Sequence, residues 1–161
     1  MTSGLVLNFV PDPPAAVLEM ARVTRKGGAI AAYVWDYAGK MEFMRHFWDA
    51  ALEMSDAVHA LDEGSRFPLC RPEALERLFQ DAGLTAVHLR SIDIATRFVD
   101  FDDFWLPFLG GQGPAPSYVM SLDDATRNEL RERLQRRLPV ESDGSIPLIA
   151  RAWAIRGRVP A

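Results

Sequence analysis

Residues 21–36, ARVTRKGGAIAAYVWD, constrain the fold more than any other stretch. A basic turn with two adjacent glycines separates a helix-like run from a strand-like run. Upstream, Val17, Leu18, Ala21 and Val23 recur at helical spacing from Pro14 to Val23. Asp12 suits an N-cap. Arg22, Arg25 and Lys26 collect where cations favour a helix C-terminus. Gly27 and Gly28 permit the left-handed residue that ends a helix. AIAAYVW (29–35) is continuously apolar, as in a strand buried on both faces of a parallel sheet. Before the helix, GLVLNFV (4–10) is a short branched apolar run that stops at PDPP. Strand, helix and strand within about 32 residues make one βαβ unit, so the chain belongs to the α/β class.

The remainder reads as helices separated by short connections. Met44, Phe47, Trp48, Ala51, Leu52 and Val58 lie on one stripe of an expected helix over 41–61. Residues 62–70 read as a loop and 71–83 as a regular helix with Pro72 at its first position and Gly83 at its end. Residues 86–98 alternate partly, like a strand with one more exposed face. FDDFWLPFLGG (101–111) is aromatic and acidic. Ser121 with Asp124 resembles a capping box for a helix over 122–138. A turn at 141–145 leads into a last strand, 146–157. The expectation is one domain over 1–161, with a helical insert at about 99–140.

Charge and cysteine usage exclude several function classes. The net charge is −4, and acidic residues interleave with the basic ones, so no basic face for nucleic acid is expected. No apolar run approaches the roughly 20 residues of a membrane span. The N-terminal residues lack the basic and apolar regions of a signal peptide. Cys70 is the single cysteine, which excludes an internal disulfide and points to a reducing, cytoplasmic location. His46, His59 and His88 are scattered, and His46 and His59 lack the i, i+4 spacing of paired ligands, so no metal is expected.

LVLNFVPDP…LEMARVTRKGGAIAAYVWDY (5–37) resembles the second half of Rossmann-like methyltransferases that use S-adenosylmethionine, with Lys26 where that family most often has Pro. PLCRPEALERLFQDAGLTAVHLRSI (68–92) is similar to the family's later helix and strand. Residues 101–134 and 143–157 resemble the helical insert and final strand of a subgroup acting on small molecules. The resemblance implies a partial sheet of about four strands: 5–10 and 29–35 parallel, then the final strand running antiparallel, then 86–98 at the far edge. It implies methyl transfer from S-adenosylmethionine to a small-molecule acceptor. The family's Gly-rich cofactor loop and its ribose-binding carboxylate have no counterpart here. GGQG (110–113) precedes Pro-Ala-Pro, and the expectation is that no helix N-terminus follows it. The chain thus reads as a C-terminal half, incomplete or inactive alone and not expected to bind S-adenosylmethionine by itself. The alternative is a non-catalytic remnant serving as an oligomerisation or interaction module.

Ligands of open α/β sheets sit beyond the carboxyl ends of strands. Asn8, Phe9, Trp35, Asp36 and Tyr37 occupy those ends and are candidates for the rim of a substrate or cofactor site; the bland reading makes Phe9 and Trp35 core or rim aromatics and Asp36 a turn cap. Phe104, Trp105 and Phe108 are candidates for an aromatic lid, against a short helix packing its rings inward. Cys70 precedes a helix, where a thiol pKa can fall, and reads as structural. No catalytic base stands out. An unguarded apolar edge at 5–10 leads to the expectation of a homodimer through that strand.

Overall fold

A computed structural model describes residues 1–161. Helix α1, Pro13–Val23, begins where the sequence indicates: Asp12 Oδ1 accepts from the Ala15 N–H at 2.9 Å. It ends earlier than the glycines. Thr24 takes an extended backbone, and its hydroxyl donates to the Met20 carbonyl at 2.7 Å. The Gly28 N–H then donates to Arg25 O at 2.8 Å, and Gly27 sits at φ 69°. The glycine pair therefore builds a reverse turn whose third residue needs positive φ, rather than the cap of the helix itself. From that turn the chain enters β2, Ala29–Trp35.

The chain forms two compact units. The first comprises Met1–Ala38, Phe67–Asp93 and Arg151–Ala161, and the second Gly39–Arg66 and Ile94–Ala150. The four strands are β1 (Thr2–Gly4), β2, β3 (Thr85–Phe98) and β4 (Ile146–Arg158), in the order β1-β2-β4-β3. β1 runs parallel to β2, with Gly4 opposite Tyr33, and β4 runs antiparallel to β2, with Ala32 opposite Ile155. The mixed α/β sheet and its strand order match the expectation.

The position of the first strand does not. It covers Thr2–Gly4 and not 5–10. Leu5 takes φ 58°, and Leu7–Phe9 form a 3-10 turn that buries Leu7. The run is apolar because a turn anchors itself in the core, not because a strand is buried. A homodimer seam along 5–10 accordingly has no strand to run on. The Ala31 N–H donates to Met1 O at 3.0 Å and the Leu5 N–H to Tyr33 O at 2.8 Å. By strand alternation, Thr2 and Gly4 turn their backbone groups to the free edge.

In the first unit, Ile30, Ala32 and Val34 of β2 and Ile155 of β4 pack against Val17 and Met20 of α1. Leu75, Leu78 and Phe79 of α4 (Pro72–Asp81) complete this core. A Cβ on Gly157 would lie 3.0 Å from the Cβ of Leu84, so glycine lets the sheet and this residue approach closely.

The second unit is mostly helical. The expected helix over 41–61 breaks into α2 (Glu42–Leu52) and a 3-10 turn at Asp56–Ala60. Ser55 Oγ accepts from the Ala57 N–H at 3.3 Å, a local bond that competes with helix continuation. The expected loop 62–70 contains α3 (Glu63–Arg66) and another 3-10 turn, Pro68–Cys70, which lies in the first unit. The aromatic segment forms α5 (Phe101–Trp105) and a 3-10 turn over Leu106–Gly110. α6 (Pro114–Ser121) follows GGQG directly, contrary to expectation. α7 (Asp124–Arg137) is capped by Asp123, whose Oδ1 accepts from the Thr126 N–H at 2.8 Å, and not by Ser121. The rings of Phe47 and Phe108 stack at 4.5 Å in the core of this unit. Asp49 of α2 pairs with Arg137 of α7 at 3.0 Å, and Glu53 with Arg133 at 3.3 Å. No helix is long and apolar enough to cross a membrane.

Candidate functional site

Because β1 and β2 are parallel, their carboxyl ends emerge together in the first unit. The positive φ of Leu5 turns the chain out of β1, a conformation that costs a branched residue roughly 1–3 kcal/mol and is often held at functional sites. The 3-10 turn that follows sinks Leu7 and leaves Phe9 60% exposed. The Phe9 ring meets Phe67 edge to face at 5.1 Å, and Tyr37 lies 5.9 Å from Phe67. Three rings from three separate segments thus form one rim. Asp36 is buried, and its backbone N–H donates to Arg151 O at 2.9 Å. Asn8 Oδ1 is buried without any hydrogen-bond partner. A buried amide oxygen left unpaired costs about 1–3 kcal/mol, so a donor brought to it by a ligand would be stabilised there.

Asn8, Phe9, Asp36 and Tyr37 therefore occupy one end of the parallel strand pair, while Trp35 is half-buried in β2 and joins no ring contact. Phe67 is the member of the rim that sequence reasoning misses, since its segment reads as loop. Its one signal is an aromatic residue immediately before Pro68. Cys70 packs behind this rim and is fully buried. Burial pushes its thiol pKa up, the opposite of the fall its place before a helix suggests, and the structural reading of the residue stands.

The proposed lid residues belong to the second unit. Phe104, Trp105 and Phe108 are buried, with Phe104 and Phe108 5.5 Å apart, and serve as core of the second unit. The exposed large apolar side chains of that segment are Leu106 and Leu109.

The second unit holds a buried polar cluster that leaves no motif in the sequence. Arg45 Nη1 donates to both oxygens of Asp62 at 2.8 and 2.9 Å. Trp48 Nε1 donates to Glu63 at 2.6 Å. Burial raises the Glu63 pKa, while its own backbone N–H and Trp48 oppose the rise. Burial also lowers the pKa of His46 and raises that of Tyr118. No group of acidic, cysteine and histidine side chains has the arrangement of a metal site.

No protein-family model and no curated protein matches the sequence. Solved structures do match in fold. The "putative methyltransferase" of Bacillus halodurans C-125 aligns over 99% of this chain with a TM-score of 0.51 and 16% identity. The YcgJ protein of Bacillus subtilis aligns over 99% with a TM-score of 0.50 and 16% identity. The fold is methyltransferase-like. The chain spans 63% of the length of each of these structures.

The residues present do not fit the whole of S-adenosylmethionine. In sites of this type a Gly-rich turn lets the backbone approach the ligand and an acidic residue holds the ribose hydroxyls. α6, the helix after GGQG, carries Pro114 and Pro116 in its first turn, and its Ser117 N–H is already bonded to Gly113 O at 3.0 Å. Proline has no N–H. The rim at Phe9, Phe67 and Tyr37 suits a flat apolar group and offers no such turn.

Proposed function

We propose that this chain carries the acceptor side of a methyltransferase-like site and receives a small molecule with a flat apolar part. The observation that supports the reading is the rim of Phe9, Phe67 and Tyr37 beside the orphaned Asn8 oxygen, in a fold shared with a methyltransferase-like structure. The ring edges would hold the flat group by offset contacts. The Asn8 oxygen would accept a hydrogen bond from an N–H or O–H of the ligand. S-adenosylmethionine would supply the methyl group in a complete site, and this chain alone is not expected to hold it tightly.

Two measurements test the reading. Calorimetric titration of the 161-residue protein with S-adenosylmethionine should give no binding tighter than about 10 μM, equivalent to roughly −7 kcal/mol. Screening aromatic fragments that carry one N–H or O–H donor by NMR should shift Phe9, Phe67 and Tyr37, and Phe9→Ala should remove the hits. Fragments that shift only residues of the second unit would overturn the acceptor reading.

The second reading is a non-catalytic interaction module. The free edge of β1 favours it, since Thr2 and Gly4 leave backbone groups unpaired. In that reading two copies pair antiparallel along this edge into a homodimer. Light scattering at micromolar concentration should then show a dimer that Thr2→Pro weakens. A stable monomer would remove this reading.

A further inference from the structure

The first unit covers only one face of its sheet. Ile30, Ala32, Val34 and Ile155 point to the core under α1 and α4. Alternation sends Ala29, Ala31 and Tyr33 of β2 to the other face, beside Arg158, Arg156 and Ala154 of β4, their partners in register. His88 and Arg90 of β3 join them, and a shallow groove of about 450 Å³ runs over Ala31, Tyr33, His88, Arg90, Ala154 and Arg156. Along residues 29–33 of β2 this face is open: Tyr33 is 39% exposed, and Ala29, His88, Arg90, Arg156 and Arg158 are exposed as well. A sheet built on a βαβ unit is ordinarily covered on both faces.

We propose that this face docks an acidic amphipathic helix of a partner protein. Three features specify the occupant. First, the floor is alanine, so the receptor supplies little bulk. The occupant must bring long apolar side chains, which the small residues allow to approach the backbone closely. Second, the face presents side chains and not free backbone groups, and a helix is the element that packs its stripe on a sheet face. Third, Arg156 stands beside Ala31 on the central strand β4 and Arg90 lies beyond it on β3, both without a carboxylate partner in the chain. The Arg158 side chain bonds only the Gly27 carbonyl, at 3.0 Å. Asp or Glu along the β4–β3 side of an apolar stripe would complete these charges.

The same charges argue against a second copy on this face. A two-fold axis at the central strand would set Arg156 of one copy against Arg156 of the other, and like charges across an interface cost affinity. Phosphate backbones would meet only Arg90, Arg156, Arg158 and His88 here, on a chain whose net charge is −4. The inference does not depend on methyl transfer at the strand ends.

The test uses two synthetic helical peptides with one leucine stripe, flanked by Glu in one and by Lys in the other. Alanine methyl signals of the full chain report the site. The Glu peptide should shift Ala31 and Ala154 with a dissociation constant of about 100 μM or tighter, and binding should weaken as salt rises. Arg90→Glu with Arg156→Glu should lower the affinity at least about tenfold, equivalent to 1.4 kcal/mol, while Arg90→Lys with Arg156→Lys retains most of it. Circular dichroism should find both double variants folded, since the positions are exposed. Equal binding of the two peptides, no binding of the Glu peptide at about 1 mM, or shifts confined to other residues would overturn the proposal. So would concentration-dependent shifts of Ala31 and Ala154 without peptide, which assign the face to self-association. Binding of anionic phospholipid vesicles with the same shifts, in place of the Glu peptide, would overturn it in favour of a membrane surface.

Discussion

The indole N–H of Trp48 donates to the Glu63 carboxylate at 2.6 Å inside the second unit, where both side chains are buried. Burial is the main reason that the Glu63 pKa rises, and the nearby Asp62 charge adds to it. A carboxyl whose folded pKa exceeds its unfolded one holds its proton more tightly in the native state. That contribution to stability is complete below the unfolded pKa and is lost as pH rises through the folded pKa.

Glu63→Gln stays neutral at every pH, and its amide oxygen still accepts from Trp48. The variant should match the parent at about pH 4, near the ordinary carboxylate range, and melt higher at neutral pH. The gap should be a few degrees, at about 2–4 °C per kcal/mol for a chain of this size. Thermal melts at both pH values check this, and parallel curves for the two proteins would contradict it.

Arg45 and Asp62 form the neighbouring pair, with side chains only 16% and 5% exposed. Breaking a buried pair leaves one charge uncompensated, which costs about 3–5 kcal/mol. Arg45→Met and Asp62→Leu should each destabilise by about that amount, somewhat less for the Asp62 change because Arg45 keeps Asp49 at 3.2 Å. The double variant should lose much less than the sum. Urea denaturation of the four proteins gives the coupling, and additive losses would show that the pair is not energetically linked.

The sheet is legible in the sequence because its apolar runs and its glycine turn are local signals. β2 and α4 lie where periodicity and capping put them. β1 lies earlier than expected because GLVLNFV has the composition of a strand, while the deciding feature is the left-handed backbone of Leu5, which no propensity indicates. The helix over 41–61 is shorter than its stripe, which continues to Val58 although Ser55 has already turned the chain. At the candidate site, Asp36 and Tyr37 follow β2 directly as expected, whereas Asn8 and Phe9 lie in a 3-10 turn and not at the end of a strand over 5–10. Phe67 joins them across a long stretch of chain, and such a contact leaves no trace in sequence spacing. The Arg45–Asp62 and Trp48–Glu63 pairs are hidden for the same reason.

Cys70 should be chemically silent in the native protein. Its side chain is buried and its raised pKa keeps it as the thiol, whereas the thiolate is the reactive form. Iodoacetamide at about pH 8, near the ordinary thiol range, should label it only in denaturant. Rapid labelling of folded protein, followed by mass spectrometry, would show that the rim opens.

Gly27 and Gly28 should fail for different reasons. Gly27 sits at φ 69°, and a Cβ there would meet no atom within 4 Å, so space is free and only the backbone objects. Gly27→Ala should cost about 1–2 kcal/mol, the usual penalty for a left-handed L-residue, and Gly27→Asn less, since Asn tolerates that region. Gly28 has an ordinary backbone, but a Cβ there would meet Arg25 O and Thr24 Cγ2, each at 2.7 Å. The carbonyl belongs to the turn that Gly28 itself closes, so it cannot yield without losing the 2.8 Å bond to Arg25. Gly28→Ala should therefore cost about 1–3 kcal/mol through overpacking, and Gly28→Asn should be no milder. Thermal melts of the four variants separate the two mechanisms. If Asn relieved both positions equally, backbone conformation would govern both and the steric argument at Gly28 would fall.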